Sequence, residues 1–147
     1  MLERLKQLTS NAKRLNQTQL LIEVFTNVKV KDEITDYITI EQLFIEGEDG
    51  LGQKLKKYSP FTISEKKRKG DRFEVTTLND TGQFYNSFDV RVNGNQISIY
   101  ANDIHNLTDS TRYGQNILTL SNEGIETIKP QVTEIAKRYI IETIFKQ

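Results

Sequence analysis

His105 is the only histidine in the chain, and cysteine is absent. A two-histidine metal site, a disulfide framework, a thiolate zinc site and a thiol nucleophile are therefore excluded, because each needs residues the chain lacks. A Ser-His-Asp arrangement would have to use His105. That residue lies in the polar stretch Asn102-Asp103-Ile104-His105-Asn106, where a lone imidazole reads as a surface or hydrogen-bonding group. Carboxylates gather at Glu46, Glu48 and Asp49, interleaved with Gly47, Gly50 and Gly52. Hard cations want several carboxylate oxygens within one turn. These residues lack the alternate spacing and closing Glu of a twelve-residue calcium loop, and read as a solvated turn. Nor are the glycines followed by the Gly-Lys-Ser/Thr that cradles phosphate. No catalytic, cofactor-binding or metal-binding residue is assigned.

Asp80-Thr81-Gly82 has the residue types with which aspartic proteases hold a carboxylate in a tight turn so that it shares a proton with a twin. A single-chain enzyme of that kind needs two lobes. A homodimeric one follows the triplet with Ala and a hairpin rather than with Gln83-Phe84-Tyr85. The triplet reads better as backbone geometry. Asp80 or Thr81 can cap a short helical turn, Gly82 admits the chain to it, Phe84 and Phe88 fall on one side, and Ser87 closes it.

The strongest local charge is basic. Residues 47–72 hold Lys54, Lys56, Lys57, Lys66, Lys67, Arg68, Lys69 and Arg72, eight of the twenty cations, against four acids. With Tyr58 and Phe61 interleaved, the stretch could track a phosphate backbone while aromatics stack on bases. It could equally meet an acidic surface of a neighbouring subunit, or be a solvated loop.

The elements that position these groups follow from periodicity and breakers. Leu2, Leu5, Leu8, Ala12 and Leu15 step by three and four, and Leu21, Ile22, Val24 and Phe25 continue the pattern. Thr9-Ser10-Asn11 could cap a second helix, so one long helix or two short ones remain open. Asp32 is placed to start a further helix through Ile34, Tyr37, Ile38, Phe44 and Ile45, although Tyr37-Ile38-Thr39-Ile40 is β-rich in type. The glycines from Gly47 end it, and the stretch to Arg72 reads as a long loop excursion. Phe88, Val90 and Val92, then Ile97, Ile99 and Ala101, alternate with polar residues around Asn93-Gly94, which predicts a hairpin with a primed turn. Ser121 or Asn122 can cap a final helix with apolar positions Ile125, Ile128, Val132, Ile135, Tyr139 and Ile140. Pro130 predicts a kink or a fresh start within it.

At 147 residues and 36% hydrophobic, the chain suits a single domain. Its parts are a helical stretch 1–46, a basic excursion 47–72, a β-rich part 73–120 and a carboxyl-terminal helix 121–147. The 20 cations balance 20 acids, so no global field announces a nucleic-acid or membrane partner. Met1 to Leu8 is charged, without the apolar core of a signal peptide, and no apolar run approaches a membrane span, so a product of the cytoplasm is expected.

Thr77-Leu78-Asn79-Asp80-Thr81-Gly82-Gln83-Phe84-Tyr85-Asn86-Ser87-Phe88-Asp89-Val90 resembles the Leu-x-Asp-Thr-Gly-x-Leu-x-x-Ser-Ile/Phe segment of phage tail-completion and virion-morphogenesis proteins. Leu78, Asp80, Thr81, Gly82, Phe84, Ser87 and Phe88 carry the motif, with Phe84-Tyr85 in place of the more usual Leu-Arg. A wider similarity adds Gln42-Leu43-Phe44, Gly47, Asp49, Gly52, Leu55, Tyr58-Ser59, Thr62, Lys66 and Gly70, in the order found in small proteins of Bacteroides-type phages and prophages. The resemblance implies an α+β protomer, with amino-terminal helices and a carboxyl-terminal helix packed on a small antiparallel sheet containing the 88–101 hairpin. It further implies a non-enzymatic virion component at the head-tail junction or tail end. Such a protein would be present in the host cytoplasm during assembly, form a homo-oligomeric ring, and contact portal, adaptor or tail proteins. A small nucleic-acid-binding phage protein using the basic 54–72 segment is the alternative.

Overall fold

Asparagine side chains set the first two breaks in the computed structural model, which describes residues 1–146. Helix α1 (Leu2–Ala12) and helix α2 (Gln17–Phe25) are separate, so the amino-terminal series is two helices. Thr9, Ser10 and Asn11 lie inside α1, and the cap of α2 is Asn16, whose Oδ1 accepts from Gln19 N at 2.7 Å. The third helix, α3 (Val28–Asp36), starts at Asn27 rather than at Asp32. Asn27 Oδ1 accepts from Lys29 N at 3.0 Å, and Asp32 is an exposed mid-helix residue.

α3 runs on without a break into a ten-residue π-helical segment, Tyr37–Glu46. The wider i→i+5 winding places Ile38 and Leu43, five residues apart, both fully inside the core. This is why Tyr37-Ile38-Thr39-Ile40 fits neither a strand nor a clean α-helical pattern. Gly47 ends the segment in the left-handed region, at φ 62°.

Two expectations for the middle of the chain are corrected. The 47–72 excursion is not all loop: it contains α4 (Pro60–Lys69), capped by Ser59 Oγ on Thr62 N at 3.2 Å and closed by Gly70 at φ 78°. Four of the basic residues, Lys66, Lys67, Arg68 and Lys69, form its last turn, where cations are favoured by the unpaired carbonyls. The 73–120 part is not β-rich beyond one hairpin, β1 (Asp89–Asn93) and β2 (Gln96–Tyr100). The rest is irregular chain with α5 (Gln83–Asn86) and a short 3₁₀ turn, Gln115–Leu118. Side-chain caps hold this chain: Asp103 accepts from the amides of Leu107 and Thr108, and Asp109 from that of Thr111.

The hairpin forms where alternation places it, but its turn is shifted by one residue. Asn93 pairs with Gln96, so Gly94-Asn95 are the two turn residues. Gly94 alone of the two has positive φ, as in a turn with Gly in the first central position. Val90 is buried against its partner Ile99, while Ile97 near the tip is open to solvent.

Ser121 is the cap of α6 (Asn122–Phe145), its Oγ accepting from Gly124 N at 3.1 Å. Pro130 does not end this helix, which is one 24-residue element. Pro130 and Glu126, the residue whose carbonyl would have received its amide, both face solvent, so the freed carbonyl is open to hydration rather than buried without a partner. α6 packs against α1, α2 and α3, and β1 lies on α2 and α3. The core joins Val24, Ile34, Ile38 and Leu43 to Phe84, Phe88, Val90, Ile117, Ile128 and Ile135. The chain is therefore α+β, with six α-helices and two strands among the described residues.

Candidate functional site

The segment Thr76–Asn79 is held by a half-buried tyrosine. Tyr58 Oη accepts from the amides of both Thr77 and Leu78, each at 3.0 Å. Leu78 is buried and has φ 58°, one of two non-glycine residues with positive φ among those described. A branched side chain there is strained by about 1–2 kcal/mol, so the conformation persists because its surroundings impose it. Thr77 Oγ1 accepts from Asn79 N at 3.2 Å, and Tyr85 Oη donates to the Thr77 carbonyl. Burial, and secondarily the neighbouring Tyr58, push the Tyr85 phenol above its ordinary range and keep it a donor.

Lys66 completes this brace. Only 7% exposed, it places Nζ 3.1 Å from the Asn79 carbonyl and 5.0 Å from the centroid of the Tyr58 ring. Tyr58 is thus not a free stacking platform: its ring is covered by a cation of its own chain and its hydroxyl is spent on amides.

The motif residues that follow act as geometry. Asp80 is exposed and faces Lys69 at 3.6 Å. The cap position of α5 is Gly82, at φ 83° and without a side-chain cap bond, rather than Asp80 or Thr81 as expected, although Thr81 Oγ1 meets the Gln83 amide at 3.4 Å. Phe84 and Phe88 are buried edge-on, with ring centroids 5.1 Å apart. Ser87 Oγ donates to the Phe84 carbonyl at 2.7 Å and accepts from Asn102 N at 2.8 Å, which ties the start of β1 to the end of β2. Asp89 then receives Lys31 Nζ at 3.0 Å and Tyr100 Oη at 3.2 Å. The Lys31 bond, chiefly, holds the Asp89 carboxyl below the usual carboxylate range.

The eight basic residues do not converge on one stripe. Lys66 and Lys69 serve the motif segment, and Lys67 lies 4.8 Å from the Phe73 ring centroid. Arg68 pairs with Glu65 at 2.9 Å, and Arg72 reaches the Ile45 carbonyl at 3.1 Å across the Phe44 ring. Lys54 bridges Glu48 at 3.0 Å and Glu46 at 3.6 Å, and the Glu48 bond raises its ammonium above the ordinary lysine value. Lys56 and Lys57 are exposed and have no ion pair among the described residues. A recess of about 410 Å³ beside the brace is lined by Leu55, Lys57, Tyr58, Ile63 and Val75.

The acidic turn is likewise occupied by its own chain. Asp49 is buried and accepts from Leu51 N at 2.8 Å and Gln53 N at 3.0 Å, while Glu46 and Glu48 hold Lys54. Among the described residues, no group of three or more His, Asp or Glu side chains is placed to hold a metal. His105 is exposed, with its carbonyl accepting from Arg112. Among the described helices, none is long and apolar enough to cross a membrane.

Sequence reasoning missed Tyr58, Tyr85, Thr77 and Gln42 as organising residues. Gln42 is buried and bridges the Thr119 carbonyl at 3.0 Å and the Ser121 amide at 2.7 Å. These groups define a protein whose polar interior is devoted to holding irregular backbone. Compared with known families, curated sequences and solved structures, the chain matches none.

Proposed function

We propose that this chain is a structural or assembly component of a tailed-phage virion, such as a head-tail connector, tail-completion or minor tail protein. It works through protein-protein contacts in an oligomeric ring. The observation that carries the reading is the Leu78–Phe88 segment, the one that resembles virion-morphogenesis proteins. Its side chains are used for shape: Leu78, Phe84 and Phe88 enter the core, Thr81 and Ser87 bond backbone, and Asp80 faces solvent and Lys69. Large apolar side chains left exposed, including Leu2, Leu5, Leu51, Phe61, Ile141 and Phe145, supply surface for neighbours such as portal, adaptor or tail proteins. The engagement of most of the 54–72 cations with their own chain favours protein contact over the nucleic-acid alternative.

The test is particle composition. Gradient-purified particles and assembly intermediates from a producing culture should contain the protein in a fixed ratio to the portal protein, read by quantitative mass spectrometry. A protein made abundantly during production yet absent from particles and intermediates overturns the reading.

A further inference from the structure

Helix α1 is tethered at one end and bare at the other. Its one buried residue is Asn11, whose Nδ2 donates to the Ile144 carbonyl at 2.8 Å and the Lys146 carbonyl at 3.3 Å. The whole of residues 1–7 is exposed, with Leu2 at 64% and Leu5 at 54%. These two leucines are three residues apart and share a face. The bare end carries Arg4, which has no ion pair among the described residues, and Lys6, which pairs with Glu3 at 2.9 Å, while Lys13 and Arg14 follow the helix at its tethered end.

At the other end of α6 lies a groove of about 750 Å³ whose lining includes Glu41, Glu46, Glu48, Glu123, Leu51 and Ile125 and no lysine or arginine. Leu51 is 63% exposed and Ile125 46%. Glu41 and Glu123 take part in no ion pair among the described residues. The 24 residues of α6 rise about 36 Å, so the Asn11 tether at Ile144 and the groove at Glu123 and Ile125 sit at opposite ends of α6.

We propose that α1 of one copy docks in this groove of a second copy, its leucines against Leu51 and Ile125, and Arg4, together with Lys6 exchanging its Glu3 partner, facing Glu41 and Glu123. The two uncovered surfaces complement each other in charge and apolar content, and the length of α6 keeps a chain from satisfying its own groove. Because the surfaces differ, the contact is head to tail. Such a contact closes into a ring when its rotation divides the circle and otherwise propagates as a filament. The inference rests on the homo-oligomeric part of the proposed function and names the surfaces it uses.

Sedimentation velocity on the full chain tests it. Wild type should form larger species as concentration rises. Leu2→Glu/Leu5→Glu should remain monomeric, each leucine lost weakening association on the order of tenfold, and Glu41→Lys/Glu123→Lys should remain monomeric too. All four sites are exposed, so both variants should keep the wild-type circular dichroism. An equimolar mixture of the two should form a one-to-one dimer, since one intact arm then meets one intact groove. Assembling wild type with unaffected variants, or a mixture that stays monomeric, overturns the arm-and-groove pairing and leaves homo-oligomerisation intact. Wild type that is monomeric at millimolar concentration overturns both, while particle association is judged separately by composition.

Discussion

Removing one oxygen from the brace tests whether Tyr58 imposes the conformation of the motif segment. Tyr58→Phe keeps the ring under Lys66 but strips the acceptor from the Thr77 and Leu78 amides, both bonded at 3.0 Å. A buried donor left unpaired costs about 1–3 kcal/mol. Thr77 Oγ1, 3.4 Å from the lost hydroxyl, can recover part of one bond only by giving up Asn79 N. The expected loss is therefore about 2–4 kcal/mol, because two donors are orphaned and one is partly recovered. At about 3 °C per kcal/mol for a chain of this size, Tm should fall by about 6–12 °C. With no tryptophan in the sequence, far-ultraviolet circular dichroism of the helices during urea unfolding is the suitable signal. A loss below about 0.5 kcal/mol, within the range of ordinary surface changes, refutes the view that Tyr58 holds residues 76–79.

Other outcomes follow from the same geometry. Tyr85 has its phenol pKa raised by burial, so its contribution is fully present below the unfolded value of about 10 and is lost as pH rises beyond it; Tyr85→Phe should blunt the alkaline fall in urea midpoint. Asp89 is held low by Lys31, so its contribution is present above the unfolded carboxylate value of about 3.9 and fades as pH falls through the folded one. With the Asp89 side chain 40% exposed, solvent screening limits Asp89→Asn to under about 1 kcal/mol at neutral pH, with a correspondingly weaker acid dependence. At Gly50 a Cβ would lie 2.2 Å from the Thr119 carbonyl oxygen, a clash with backbone that cannot swing aside, so Gly50→Ala should cost about 3 kcal/mol or more by overpacking. Gly52→Ala, in open space at φ 75°, should cost about 1–2 kcal/mol from backbone conformation alone, and equal or reversed losses in thermal melts would contradict the packing argument.

Legibility tracked how local each cause is. The hairpin, the Ser121 cap and the α5 turn depend on neighbours in sequence and were readable there. α4 had readable ends in Ser59-Pro60 and Gly70, but its interior has little apolar periodicity, because its one buried residue is Lys66. A cation in a core position looks like solvated charge until Tyr58 and the Asn79 carbonyl come near. The π-helical segment hid for a different reason, since Ile38 and Leu43 are spaced by five and break the three-and-four rule. The bracing role of Tyr58 was beyond the reach of local pattern: its amide partners lie 19 and 20 residues on, and nothing within either segment announces the meeting.

That distinction bears on what the resemblance describes. Most of the residues it picks out between 42 and 90 have internal duties in this fold, Gly52 and Asp80 being exposed exceptions. Gln42 bridges Thr119 and Ser121, Leu43 is core, Gly47 lets Val75 approach, and Asp49 holds two amides. Ser59 and Gly70 bound α4, and Tyr58 and Lys66 brace Leu78. Such a set specifies how a protomer is built and leaves its neighbours unspecified. The surfaces free to choose a neighbour lie elsewhere, on α1 and around Leu51 and Ile125. Substitution in the first set should therefore lower unfolding free energy and assembly together, whereas substitution in the second should lower assembly at unchanged stability. Measuring urea midpoint and sedimentation on the same preparations of Tyr58→Phe and Leu5→Glu separates the two, and a Leu5→Glu protein that unfolds as easily as Tyr58→Phe would break the division.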